Sequence, residues 1–149
     1  MADQPLIVFD GTESVNGRAF LAISALHWCV DWLPRARVRL IDVTDENVAL
    51  AARAFHWDTG IALDLWKPPP SPEQAGASLA GASLYAGIAF RSAGHMRIDA
   101  ARGQGIPVLL AVQFPDESWF SASTLLREDA AFDPRIFAAH LSAIITPWL

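Results

Sequence analysis

The sequence predicts an α/β domain with a mostly parallel sheet, on three observations. Apolar runs of strand length recur at residues 6–9, 38–43, 61–66, 84–90 and 106–111. Segments with helical spacing lie between them, each with recognisable start and stop residues. Residues 82–111 read as one continuous unit of strand, loop, helix and strand. Its second strand is apolar without interruption, as a strand covered on both faces must be.

Taken in order, residues 6–9 form a short buried strand that ends at the turn Asp10-Gly11. Asn16 then caps a helix expected to run to about Leu33, where Pro34 stops it. Its apolar residues Phe20, Leu21, Ile23, Leu26, Trp28 and Trp32 cover more than one face, which predicts deep packing. Residues 38–43 make a second strand, and Thr44 caps a helix with Asp45 and Glu46 in its first turn, the sign the helix dipole favours. This helix is expected to end near Phe55, and Thr59-Gly60 to lead into a third strand at residues 61–66. A proline turn at residues 67–70 follows. Ser71-Pro72-Glu73-Gln74 is a helix start with a Ser cap, Pro at the first helical position and Gln where a capping box places it.

Gly81 ends that helix before the strand at residues 84–90. A loop with Ser92 and Gly94 leads to a helix that stops at Gly103-Gln104-Gly105, and the strand at 106–111 follows. Beyond Pro115, residues 121–126 are expected to form a weak edge strand, and Asp133-Pro134 to open a last helix reaching about Ile145. The reading is five β-α repeats, a weak strand and a closing helix. No internal repeat or linker divides residues 1–149, so a single domain is expected.

Composition narrows the function. With 149 residues, 52% of them hydrophobic, the chain is able to bury a sizeable core. A net charge of −5 with scattered arginines offers no basic stripe for a nucleic acid. Cys29 is the only cysteine, and the four histidines lack metal-site spacing, so neither a disulfide frame nor a metal centre is expected. The start lacks a basic n-region and residues 19–30 are too short to span a bilayer. A cytoplasmic protein without a membrane span is the expectation.

A parallel sheet binds ligands at the carboxyl ends of its strands, beside the point where strand order reverses. With the order 3-2-1-4-5-6, the reversal lies between the first and fourth strands. The facing loops are then residues 11–18 and 91–95. Gly11, Gly17 and Gly94 allow close backbone approach, while Arg18 and Arg91 are able to hold a phosphate in a two-pronged contact. The alternative for both arginines is an ordinary solvated end of an element. His95 and Asp99 stand at and after the second loop, where an anion and sugar hydroxyls are candidate ligands; the alternatives are a histidine with no chemical role and a solvent-facing charge, which is the favoured account of Asp99. Trp66 and Lys67, the only lysine, end the third strand and are candidates to stack on and contact a base, the favoured alternative being a Trp packed under the proline turn. Asp10-Gly11-Thr12 is superficially like a phosphoryl-transfer aspartate, but its acidic and lysine partners are missing. Neither G-x-G-x-x-G nor a P-loop occurs, and no catalytic residue is assigned.

Several of these pieces together resemble the C-terminal, donor-binding half of a GT-B glycosyltransferase of the family 4 kind, best over residues 59–108. Asp99-Ala100-Ala101 with Gly105-Ile106-Pro107-Val108 resembles that family's Glu-Ala-Met-Ala and Gly-x-Pro-Val pattern. Ser71-Pro72-Glu73-Gln74, Gly17-Arg18 and Asp133-Pro134 resemble further parts of it. The paired glutamates are absent. The resemblance implies a Rossmann-like three-layer domain that binds a nucleoside-diphosphate sugar without a metal or other cofactor. It implies Gly11, Gly17 and Arg18 at the diphosphate, Trp66 and Lys67 at the base, and Ser92, Gly94 and His95 at the donor phosphate or sugar. Asp99 takes the place of the ribose-binding glutamate. It also implies a missing N-terminal domain or partner subunit, because such enzymes react in a cleft between two Rossmann-like domains.

Two other readings use the same elements. A non-catalytic interaction or oligomerisation module, a homo-oligomer included, draws on the surplus of Trp and Phe, with Trp119, Phe120 and Trp148 near the end. A flavodoxin-like receiver fits the alternating elements but lacks the acidic cluster and the lysine placement.

Overall fold

The computed structural model describes residues 4–10, 20–41, 46–66, 72–88, 95–112, 124–127 and 134–149. Strand β1 (Leu6–Asp10) is buried along its whole length. It lies between β2 (Arg37–Ile41) and β4 (Leu84–Ile88). Outward from these run β3 (Asp64–Trp66) on one side, and β5 (Val108–Val112) and β6 (Thr124–Arg127) on the other. The order is β3-β2-β1-β4-β5-β6 and every pairing is parallel, as the sequence predicts.

Among the described residues five helices cover this sheet: α1 (Phe20–His27), α2 (Glu46–Thr59), α3 (Pro72–Leu79), α4 (His95–Gly103) and α5 (Pro134–Ile145). Because successive strand residues point to opposite faces, the central strands feed two cores. Ile7, Phe9, Leu40 and Leu84 pack with Ile23, Leu26, Phe55 and Phe137 from α1, α2 and α5. Leu6, Val8, Ile41 and Tyr85 pack with Leu79, Ile98 and Ala101 from α3 and α4. The Phe9 and Phe137 rings meet at 5.4 Å between centroids, so the closing helix is pinned to the central strand.

The end of α4 follows its sequence signal. Gly105 has φ +70, a left-handed conformation that side chains with a Cβ rarely adopt. Its N–H donates to the carbonyl of Arg102, and that of Ile106 donates to the carbonyl of Ala101. This pair of bonds closes a Schellman stop, with Ile106 folded onto Ala101 in the core.

Two helix ends differ from expectation. The first helix stops at His27 and not at Leu33, because the chain tightens there. The N–H groups of Trp28 and Cys29 donate to the carbonyls of Ala25 and Leu26, and a short 3-10 turn spans Leu33–Arg35. This turn buries Cys29, Trp32 and Leu33 and leaves Trp28 exposed, so Trp28 is not a core residue. The second helix runs past Phe55 to Thr59. The Thr59 hydroxyl donates to the Phe55 carbonyl at 2.6 Å, and Gly60, with φ +75, supplies the stop. Strand β3 is only three residues long and begins at Asp64, not at Ile61.

The described residues contain four β-α units before β5. Residues 113–123, where a fifth crossover falls, lie outside the described residues, as do the caps Asn16, Thr44, Ser71 and Asp133. Among the described residues no helix is long and apolar enough to cross a membrane.

Candidate functional site

Strand order reverses between β1 and β4, which run side by side with Asp10 opposite Gly87. Chain leaving either strand departs from the same rim of the sheet, and α4 begins on that rim at His95. Charge is buried beneath this rim. Alternation along β1 sends Asp10 to the same face as Val8, toward α4, while Tyr85 opposite Val8 points the same way.

Here three side chains from three elements converge. The Asp10 Oδ2 atom accepts a hydrogen bond from the Tyr85 hydroxyl at 2.5 Å and another from Arg97 Nε at 2.6 Å. Asp10 and Tyr85 are fully buried, and the Arg97 side chain is 6% exposed. A charge this deep persists only when paired and hydrogen-bonded, and here the carboxylate and guanidinium neutralise each other. Burial pushes the Tyr85 hydroxyl well above its ordinary range, and the Asp10 charge and hydrogen bond add to that effect. Tyr85 therefore stays protonated and serves as a donor.

This explains what Asp10 lacks. Its missing acidic partner and lysine are replaced by Arg97 and Tyr85, so its Oδ2 is committed to structural donors. Neither partner is apparent beforehand as a site residue. The usable signal is a carboxylate ending a wholly apolar strand, since such a group has to find a donor inside the protein.

Trp66 stands on the same rim. Register aligns Asp10 with Ile41 and Ile41 with Trp66, so the indole lies two strands from Asp10, roughly 10 Å at ordinary strand spacing. The Arg39 guanidinium sits 4.0 Å from the ring centroid, and Asp64 accepts the indole N–H at 2.9 Å. Arg39 is held in turn by the Ser78 carbonyl at 2.8 Å. Trp66 is thus a propped, half-open platform and not a packed core residue.

Asp99 lies on the solvent side of α4, with Arg102 at 3.9 Å, and stands apart from the buried trio. His95 opens α4. Gly11, Gly17, Arg18, Lys67, Arg91, Ser92 and Gly94 lie outside the described residues. No group of three or more His, Cys, Asp and Glu side chains among the described residues is arranged to hold a metal ion.

Comparison with solved structures supplies relatives of this architecture. The apo form of the glycosyltransferase GlyE from Streptococcus pneumoniae superposes on 96% of this chain with a TM-score of 0.58 at 12% identity. The GtfA/B complex superposes on 97% with a TM-score of 0.59 at 14% identity. The fold is one that glycosyltransferases use. This chain spans 33% of the GlyE chain and 29% of the GtfA/B chain, about a third of each. The same fold also occurs in a protein of similar size: the phenylacrylic acid decarboxylase of Aquifex aeolicus, with a TM-score of 0.54 at 11% identity, is covered over 96% of its length. No protein-family model and no curated protein matches the sequence.

Proposed function

We propose that this chain is a nucleotide-sugar-binding domain of the glycosyltransferase type, closest to the donor-binding half of GT-B enzymes. On this reading it takes a nucleoside-diphosphate sugar at the rim between β1 and β4 and needs an acceptor-binding domain or partner subunit for turnover. The observation that carries the reading is the parallel pairing of β1 with β4 at the reversal of strand order. Chain that leaves β1 and chain that leaves β4 start from a common rim, beside the first turn of α4, which supports a shared binding site there. Gly11, Gly17 and Arg18 then meet the diphosphate, and Ser92, Gly94 and His95 the donor phosphate or sugar. Trp66 and Lys67 receive the base, across a gap that a nucleoside diphosphate bridges. Asp99 meets the ribose from the outer side of α4.

The test is a binding panel of UDP, GDP and their sugars, read by tryptophan fluorescence and melting temperature. A bound nucleotide raises the melting temperature in proportion to its occupancy. Arg18→Ala should abolish the response and Glu117→Ala should preserve it. Indifference to every nucleotide rejects the reading.

A second reading, a non-catalytic interaction module, draws on one feature. Trp57 on α2 is 90% exposed, and Leu50 stands two turns before it on the same outer side. That reading expects a stable oligomer or complex together with indifference to nucleotides.

A further inference from the structure

Three of the chain's six tryptophans stand in water at the end of the molecule where the strands begin: Trp57 is 90% exposed, Trp28 58% and Trp148 42%. Their common position follows from the chain path. Helix α2 returns from the end of β2 to the start of β3, which runs parallel to β2, so its last turn lies beside the strand starts. The residues after α1 lead in the same way to the start of β2, where the Arg37 N–H donates to the carbonyl of Pro5, just ahead of β1. His27 and Phe55 join these two helix ends, with their rings in an edge contact at 4.8 Å between centroids. On the other side of α1, Trp32 donates to the Ser142 hydroxyl at 2.8 Å and Ile145 packs in the same core, so α5 and the 3-10 turn Thr146–Trp148 reach this end too.

Charge here departs from that of the whole chain. Among the described residues at this end the exposed Arg35, Arg37 and Arg53 outnumber the exposed Asp31 and Asp58, in a chain whose net charge is −5. Arg53 stands one turn before Trp57 on the outer side of α2. An indole gains most at a boundary between water and hydrocarbon, where its ring leaves water while its N–H stays hydrogen-bonded. Arginine suits the same boundary, with its stem along apolar surface and its head at phosphates. The three indoles come from separate elements with charged side chains among them, which is unlike the contiguous, charge-depleted centre of a protein interface.

We propose that this end of the domain is a peripheral membrane-docking surface, with Trp28, Trp57 and Trp148 in the headgroup layer of an anionic bilayer and Arg35, Arg37 and Arg53 at the lipid phosphates. The proposal is independent of the donor-site reading, because docking by the strand-start end leaves the β1–β4 rim facing away from the bilayer.

The test uses the full chain, without nucleotide, sedimented with vesicles of phosphatidylcholine alone or mixed in equal parts with phosphatidylglycerol. The chain should bind the mixed vesicles about five-fold more tightly, from one net positive charge at the surface. Trp57→Ser should weaken that binding about ten-fold, because one partly inserted indole is lost. Ile136→Ser removes an exposed apolar side chain at the opposite end, where α5 begins, and should leave binding within about two-fold. Melting temperatures check that both variants are folded. A further measurement needs no variant: phosphatidylcholine brominated near the headgroup end of its acyl chains should quench the tryptophan emission on binding. Absence of vesicle binding overturns the proposal, as does binding without quenching or binding that Trp57→Ser leaves unchanged. A concentration-dependent dimer that Trp57→Ser disperses, with no affinity for vesicles, also overturns it and assigns the surface to a second copy of the chain. Because no arm contains nucleotide, each result stands apart from the outcome of the UDP and GDP panel.

Discussion

Arg97 donates from Nε to Asp10 Oδ2 at 2.6 Å, tying the first turn of α4 to the last residue of β1 across 87 positions of sequence. Both side chains are buried, so removing either one takes a charge-assisted partner from the other. Arg97→Met should cost about 3–5 kcal/mol of stability, measured by urea denaturation, because the buried Asp10 carboxylate loses the Arg97 cation. Tyr85→Phe should cost less, about 1–2 kcal/mol, since Arg97 still holds the oxygen.

Ser142 joins α5 to the turn after α1. Its hydroxyl oxygen accepts from Trp32 Nε1 at 2.8 Å and lies 3.9 Å from the Cys29 Sγ. Ser142→Ala leaves a buried indole N–H without an acceptor and should cost about 1–3 kcal/mol in the same assay. A shift in tryptophan emission should accompany it.

Alkali should loosen this protein by a defined route. Burial pushes the Cys29 thiol up to about 11 from an ordinary 9.0, with the Ser142 hydrogen bond pulling back and Asp31 adding slightly. The folded state therefore holds that proton more tightly than the unfolded chain does. The stability it contributes is complete below pH 9 and is lost as pH rises through about 11. Tyr85 acts in the same direction above pH 10. Melting temperature measured against pH should fall from about 9 upward, and Tyr85→Phe should flatten the part above 10. Native Cys29 should also resist iodoacetamide at neutral pH, with about 100-fold less thiolate than an ordinary cysteine.

Gly105 carries the stop of α4 at φ +70 with open space where a Cβ would stand. The cost of Gly105→Ala is thus purely conformational, about 1 kcal/mol by thermal denaturation. Trp57→Ser, at an exposed site, should change stability by no more than about 0.5 kcal/mol. Any oligomer built on Trp57 should dissociate in that variant, as read by sedimentation.

The parts of the fold that are legible in the sequence are those governed by local rules. The apolar runs at Leu84 and Val108 and the glycines at 103 and 105 delimit the β4-α4-β5 unit because burial on both faces and a left-handed stop each leave a mark in composition. Pro134 marks the start of α5 in the same way. The misjudged ends depend on tertiary contacts. Trp28 has the composition of a core residue, but the tightening that buries Cys29, Trp32 and Leu33 turns it outward. Thr59 extends α2 through a bond from its own hydroxyl, a choice that composition leaves open. The Asp10–Arg97 pair was hidden for a different reason. Asp10 stands out as a charge at the end of an apolar strand, but its partner is fixed by strand order and by the packing of α4.

The most direct test of the account is an NMR titration of the isotopically labelled chain with UDP. The account predicts amide shifts concentrated at residues 10–18 and 91–97, with the indole of Trp66 responding as the base docks. Absence of shifts at saturating nucleotide, or shifts gathered at the opposite rim around Leu6, Arg37 and Val108, would contradict it.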